Sequence, residues 1–472
     1  MSSVSALNSL LSSGSDSTSS INLSQILEAA TGASSEGIDV NSAVSAAVTA
    51  AEGPEQTWES QETTLENQAS ALNQLQTDAT NLDNDVQSLN NLTGPLSATT
   101  VTSSNSDVLS ATAASGAASG THVVQVSSLA STASWTSGTF ASGSTALPAG
   151  SFTITTGSGP STTITTDGTQ TLSDVASKIN SDNLGLTASI VTDASGSRLA
   201  ILADSTGSAA NFTIGSSSSS GFGFTQAVTG ANASLTVDGI AISSPSNTVT
   251  GVIPGLTLSL LSADPGAYVS LGVSPDTSQA STAINQFVSD YNTLVTAVNT
   301  QYTDTGSGEG VLATDANVRN LQSDLQGVLG YVNTPASGTT TVSTLGALGI
   351  SVNTDGTLSV DSATLGSALS NNFSDVQTFF QGAALNGFAN SMDQQLTNFI
   401  SPSDGAFTLD LQSIGTQETG LQTDISNFQA NVITPLKAQL TNEYSQAEIL
   451  LQQLPTEMKQ IAEELGENNS SS

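Results

Sequence analysis

Cysteine is absent from the 472 residues, which excludes a disulfide scaffold and a thiolate metal site. Basic side chains are almost as scarce. Lys178, Arg198, Arg319, Lys437 and Lys459 stand against 40 acidic residues, a formal charge of −35. Phosphate binding needs clustered Lys and Arg, so this balance argues against DNA, RNA and anionic lipid as partners. Histidine occurs once, at His122, inside the alternating stretch 122–127. A plain strand residue is the better reading of it than the base of a Ser-His-Asp relay. No apolar run is long enough to span a bilayer, so membrane insertion is not expected. The first residues carry neither the basic cluster nor the sustained apolar stretch of a cleaved secretory signal. A cysteine-free chain suits export as an unfolded thread. Charged residues make up only 10%; the polar remainder is mostly Ser, Thr, Asn and Gln, which suits an extracellular, self-associating protein.

What the chain does have is a long helical seam. Trp58, Leu65, Leu72, Leu75, Ala79, Leu82, Val86 and Leu89 fall on a register stepping by three and four, with Gln61 and Gln68 at the two polar positions. No Pro or Gly interrupts residues 58–89. This is the a/d stripe of a coiled-coil helix, too narrow to bury itself without a partner. Leu440, Tyr444, Ala447, Leu451, Leu454, Met458, Ile461 and Leu465 repeat the alternation near the other end. The candidate oligomer or filament interface is therefore Trp58, Leu65, Leu72, Leu440, Tyr444, Leu451, Leu454, Met458, Ile461 and Leu465. Val432, Leu436 and Leu440 step by four twice beside Pro435, a stutter next to a helix breaker. A kink or two shorter helices is expected there, with Pro455 as a second break.

Between the helical ends the chain is rich in Ser, Thr, Gly, Val and Ile. The fold class is α+β and multidomain: terminal helices forming a coiled-coil stalk, with a β-rich head of two domains inserted between them. A disordered leader is expected over 1–36 and an N-terminal helical stalk over 37–94, its first helix capped by Asp39 or Asn41. Residues 95–135 with 228–275 form one β head domain; 136–227 form an outer β-rich domain inserted into it. Within that insert, hairpins are expected around 157–160 and 193–196, and a short helix from Leu172, capped by Thr171 or Ser173. Leu235, Val237 and Ile240 read as one strand, and Leu256, Leu258 and Leu260 as another. Residues 276–400 return to a helical stalk, with helices over 365–380 and 385–399 and a hairpin at 350–360 around Asp355-Gly356. C-terminal coiled-coil helices occupy 401–472.

Enzyme chemistry has little support. Nothing in the spacing of the 40 acids selects a catalytic carboxylate pair. Asp83-Asn84-Asp85 lacks the alternating ligands and closing Glu of a calcium loop, and both Asp side chains are expected on the solvated face beside Leu82 and Val86. Phe222 and Phe224 sit in a Gly/Ser loop; burial is the favoured reading over an exposed adhesive patch. No catalytic, cofactor or metal residue is assigned.

Several stretches together resemble flagellar filament-capping proteins, the hook-associated protein 2 family. They are 37–42 (Gly-Ile-Asp-Val-Asn-Ser), 171–214, 234–239, 246–258, 276–277, 287–295 and 348–358, in the family's order and over nearly the whole chain. The segments 246–258 and 287–295 are the most specific; the repeat near Thr171 is shared with hook and junction proteins. The resemblance implies a secreted structural subunit at the filament tip of the bacterial flagellum. It implies a ring-like homo-oligomer that helps flagellin fold and polymerise, an export chaperone before secretion, and in some members adhesion. The chain departs from the pattern in its acidity and in stalk helices that carry Gln, Asn and Thr where basic residues are expected. Another flagellar axial protein, or a non-flagellar surface adhesin, is the alternative.

Overall fold

The computed structural model describes residues 39–216, 221–303, 309–334 and 340–467. The leader expected over 1–36 lies outside them. In chain order the helices are α1 (Val40–Ala51), α2 (Gly53–Asn90), α3 (Leu172–Ser181), α4 (Thr277–Gln301), α5 (Ala316–Leu329), α6 (Ser362–Asn371), α7 (Phe373–Gln381), α8 (Phe388–Ile400), α9 (Ala406–Phe428) and α10 (Thr434–Glu467). A π-helical turn, Gln429–Ile433, joins the last two. The described termini are helical and the middle is β-rich, the α+β arrangement expected from composition.

The chain divides into two compact units. One holds the residues up to Asn81, Thr293–Asp324 and those from Gln395 onward; the other holds Leu82–Asn292 and Leu325–Gln394. Helix α2 contributes to both, and its a/d stripe is the reason it is ordered in each. Leu72, Leu75 and Ala79 are buried in the first unit, and Leu82, Val86 and Leu89 in the second. The helix stops at Asn90. Gln381, itself buried, donates from Nε2 to the carbonyls of Leu89 and Asn91 at 3.3 and 3.1 Å, satisfying groups the helix end leaves open.

In the first unit, Asp39 caps α1 by accepting from the backbone N–H groups of Asn41 and Ser42. The Val44 and Val48 face of α1 packs with Ile433, Phe428, Leu440 and Tyr444. The expected break at Pro435 takes a different form. Helix continues, and the π turn absorbs one extra residue: Thr434 N–H donates to Gln429 O, five residues back. The wider turn accommodates both the four-plus-four stutter and the proline ring, which would clash with a carbonyl four residues earlier. Pro455 does not break α10, which runs through it.

The second unit holds the β structure. One five-stranded antiparallel sheet runs Thr99–Ser103, Val269–Pro275, Gly120–Ser128, Ala233–Val237, Ile240–Ser244 across its width. A three-stranded sheet (Thr248–Thr250, Leu256–Leu260, Leu109–Ala113) shares its core, which includes Val124, Val126, Leu235, Leu258 and Leu271. Ile240 does not extend the Leu235 strand. Asp238 and Gly239 have φ of 50° and 83°, the signature of a two-residue hairpin turn, so Ile240 opens the next strand. His122 Nδ1 lies 2.8 Å from Asp238 Oδ2, and Val123 N–H donates to Asp238 Oδ1 at 2.8 Å. The His122 contact, with the Val123 bond, holds the Asp238 carboxyl below its ordinary pKa. The lone histidine thus serves a turn.

A second β core comprises a four-stranded sheet (Thr225–Val228, Thr132–Thr136, Gly196–Thr206, Leu186–Asp193), a three-stranded sheet (Ser161–Thr166, Gly150–Thr156, Phe212–Ser216) and α3. Thr171 caps α3 in a capping box with Asp174. Phe222 is buried against Phe152 at 5.0 Å between centroids.

The helices of this unit carry an aromatic core: Phe287 of α4, Phe379 of α7 and Phe388 of α8 pair at 5.7 Å (Phe287–Phe388) and 5.4 Å (Phe379–Phe388). The helix expected over 365–380 is two helices, α6 and α7, meeting at Asn372, and the one expected from 385 begins at Phe388. Leu385 instead takes a left-handed φ of 57°. The hairpin strands Ile350–Val352 and Leu358–Val360 are tied to α4, where Asn292 exchanges hydrogen bonds with the Leu358 backbone at 2.8 and 2.6 Å.

The solvated placement of Asp83 and Asp85 is overturned. Asp83 is 7% exposed, beside Asp393 of α8, and Asp85 is half-buried beside Asp290 of α4. The a/d stripe accounts for one face of α2, but helices pack against more than that face here.

Two stability tests follow from this packing. Leu82→Ala is expected to cost about 2–5 kcal/mol in denaturant unfolding, since Leu82 is fully buried. Gly349 has φ +77°, and an added Cβ would meet Thr364 Cβ at 2.8 Å and Asp361 O at 2.9 Å. Gly349→Ala should therefore destabilise by more than about 1 kcal/mol by the same measurement.

Candidate functional site

The sequence directs attention to the apolar seams of α2 and α10, and the structure separates their residues into groups. Leu72 is fully buried. Trp58 and Leu65 are half-buried. Trp58 meets Phe428 edge-on at 5.5 Å, where α2 runs beside the end of α9. Glu55, 7% exposed, accepts from Gln429 Nε2 at both carboxylate oxygens, at 2.7 and 2.5 Å. Glu62 accepts from Gln422 Nε2 at 2.7 Å and Gln76 Nε2 donates to Thr408 Oγ1 at 3.2 Å. Amide–carboxylate pairs thus do along this seam what ion pairs do where Lys and Arg are available.

Between the polar ties an open groove of about 560 Å³ separates α2 from α9. Leu65 and Leu421 form its apolar walls, with Gln61, Gln68, Gln417 and Asp424 around them. Phe407 is the one fully buried side chain among the described residues of α9. The α2–α9 seam is loosely closed.

Helix α10 changes character along its length. Leu440 and Tyr444 pack against the α1 face. Beyond them the large apolar side chains are bare: Ile449 55%, Leu450 62%, Leu451 43%, Leu454 47% and Ile461 55% exposed. Met458 and Leu465 lie on the same helix, but their side chains are outside those described. Ile449 and Leu450 do not fall on the a/d register and were invisible to it; the consecutive Ile-Leu-Leu at 449–451 is the signal that marks them. Among the described residues, no helix is long and apolar enough to cross a membrane, and no cluster of three or more His, Cys, Asp or Glu side chains is placed to hold a metal.

Known proteins share this chain's pattern. The family description "Flagellar hook-associated protein 2 C-terminus" matches residues 230–456, "Flagellar hook-associated protein 2 N-terminus" matches 36–133, and "Flagellin hook IN motif" matches 151–205. Of the segments that carried the resemblance, 37–42, 234–239, 246–258, 276–277, 287–295 and 348–358 fall inside those ranges, and 171–214 does so as far as residue 205. The B-type flagellar hook-associated protein 2 of Pseudomonas aeruginosa is 30% identical over 407 residues, covering 78% of this chain and 83% of that protein. Flagellar hook-associated protein 2 of Escherichia coli K12 is 26% identical over 403 residues, covering 79% and 84%. The crystal structure of the D1-D2-D3 domains of the Escherichia coli flagellar cap protein FliD superposes with a TM-score of 0.59 at 27% identity, covering 73% of this chain and 99% of that one. The chain therefore belongs to the flagellar hook-associated protein 2 family.

Proposed function

We propose that this protein is a structural cap subunit at the distal end of the bacterial flagellar filament, without catalytic activity, and that it promotes the folding and polymerisation of flagellin there. The bare apolar stripe of α10 carries the reading. A helix with Leu450, Leu451, Leu454 and Ile461 exposed has apolar surface that a partner would cover. Sister subunits in a ring-like homo-oligomer, and incoming flagellin, are the occupants we infer. The loosely closed α2–α9 groove suits a seam that exchanges partners during assembly. We also infer export through the flagellar apparatus with a dedicated chaperone, no nucleic-acid partner, and a modular head in which 136–227 is an outer domain inserted into 95–135 plus 228–275. The ten candidate interface residues divide on this reading: Leu451, Leu454 and Ile461 supply contact between chains, with Met458 and Leu465 continuing the register. Trp58, Leu65, Leu72, Leu440 and Tyr444 support the helices that present them. Phe222 is buried and Phe224 half-buried against it, which leaves an adhesive reading less aromatic surface to draw on.

Leu450→Asp combined with Leu454→Asp should leave thermal stability within about 0.5 kcal/mol of wild type, because both sites are exposed. The same variant should reduce self-association by sedimentation velocity. In a strain lacking the native protein, it should give short filaments, with flagellin monomer released into the medium. Removal of residues 440–472 should abolish filament growth while leaving the β cores folded by circular dichroism. Filaments of normal length from either variant would refute the assignment.

A further inference from the structure

Helix α2 carries two carboxyls that each face another carboxyl. Asp83 stands beside Asp393 of α8, and Asp85 beside Asp290 of α4. One amide ties the first pair: Gln87 Nε2 donates to Asp83 Oδ2 at 2.7 Å and to Asp393 Oδ1 at 3.1 Å. Asp290 Oδ1 accepts from Gln286 Nε2 at 3.0 Å. Asp83 Oδ1 and Asp85 Oδ2 are buried with no donor among the described residues. The ion pairs of the described residues, His122–Asp238 and Lys178–Asp182, lie elsewhere. Two anions in contact, one of them with a buried oxygen that lacks a donor among the described residues, are destabilising. A proton on one member of each pair removes a charge and supplies the missing donor.

We propose that Asp83–Asp393 and Asp85–Asp290 are proton-sharing pairs that clamp α2 to α8 and to α4 in acid and loosen as the pH rises. Burial, then the neighbouring Asp393, pushes Asp83 up to about 7; burial, then Asp290, pushes Asp85 up to about 6. A carboxyl whose folded pKa is raised binds more proton in the folded state than in the unfolded one. Its stabilisation is complete below the ordinary carboxylate value and is lost as the pH climbs through the raised one. The window set by these two groups runs from about pH 4, the ordinary carboxylate value, to about pH 7.

The test is the unfolding midpoint of the full-length protein across that window at fixed ionic strength, for wild type, Asp83→Asn, Asp393→Asn and Asp85→Asn. The wild-type midpoint should fall by several degrees from the acid end to the alkaline end. Each Asn variant should flatten that fall and melt above wild type at the alkaline end. Asp107→Asn, at an exposed position, controls for the general repulsion of the acidic chain and should leave the slope unchanged. Asp393→Asn removes the same pair from the other side should Asp83→Asn fail to fold. Slopes identical in wild type and all three pair variants would overturn the proposal. So would a calcium-dependent rise of the wild-type midpoint at alkaline pH that Asp83→Asn abolishes, because the pair would then hold a cation and not a proton.

Discussion

Burial of one narrow apolar stripe on α2 is the constraint on which both helical regions depend. From Leu72 to Leu89 every a/d position is removed from water. A helix of 38 residues whose remaining surface is mostly Gln, Asn, Asp and Thr has no other large source of stabilisation, since intrinsic propensity and exposed side-chain pairs each contribute only tenths of a kcal/mol. The β cores are different. They close on themselves through strand pairing and packed Val, Leu and Phe, and need nothing from α2 to explain their order.

With five basic residues in the whole chain, this protein cannot hold its helices in register through Lys–Glu pairs. Neutral amides take that place. Gln429 on Glu55, Gln422 on Glu62 and Gln87 on Asp83 and Asp393 each satisfy a carboxylate without adding a positive charge. A hydrogen bond from a neutral amide cancels no charge, so carboxyls that come close, such as Asp85 and Asp290, are left to protons.

Much of the architecture was legible because local signals and tertiary fate agreed. The α2 seam, the Thr171 cap, the hairpins at 157–160 and 193–196 and the Asp355-Gly356 turn all follow from periodicity or turn chemistry. The readings that failed did so where local pattern cannot reach. Leu235, Val237 and Ile240 look like one strand, because the period does not reveal that Asp238-Gly239 turns the chain back. Asp83 and Asp85 look solvated from their own helix, because only α4 and α8, some two hundred and three hundred residues away in sequence, bury them. Pro435 and the stutter signalled a disturbance, but not that a π turn would absorb it. The bare face of α10 was half legible: the register found Leu451, Leu454 and Ile461, and passed over Ile449 and Leu450.

The π turn at Gln429–Ile433 has a geometric result for everything beyond it. A helix advances about 100° per residue, so one surplus residue swings the whole remainder of α10 around its axis by that angle. Tyr444, seated against α1, and the bare Leu450, Leu454 and Ile461 all lie beyond that turn and share the swing. Aim, in this protein, is set by a single residue too many, some twenty positions upstream of the surface it directs.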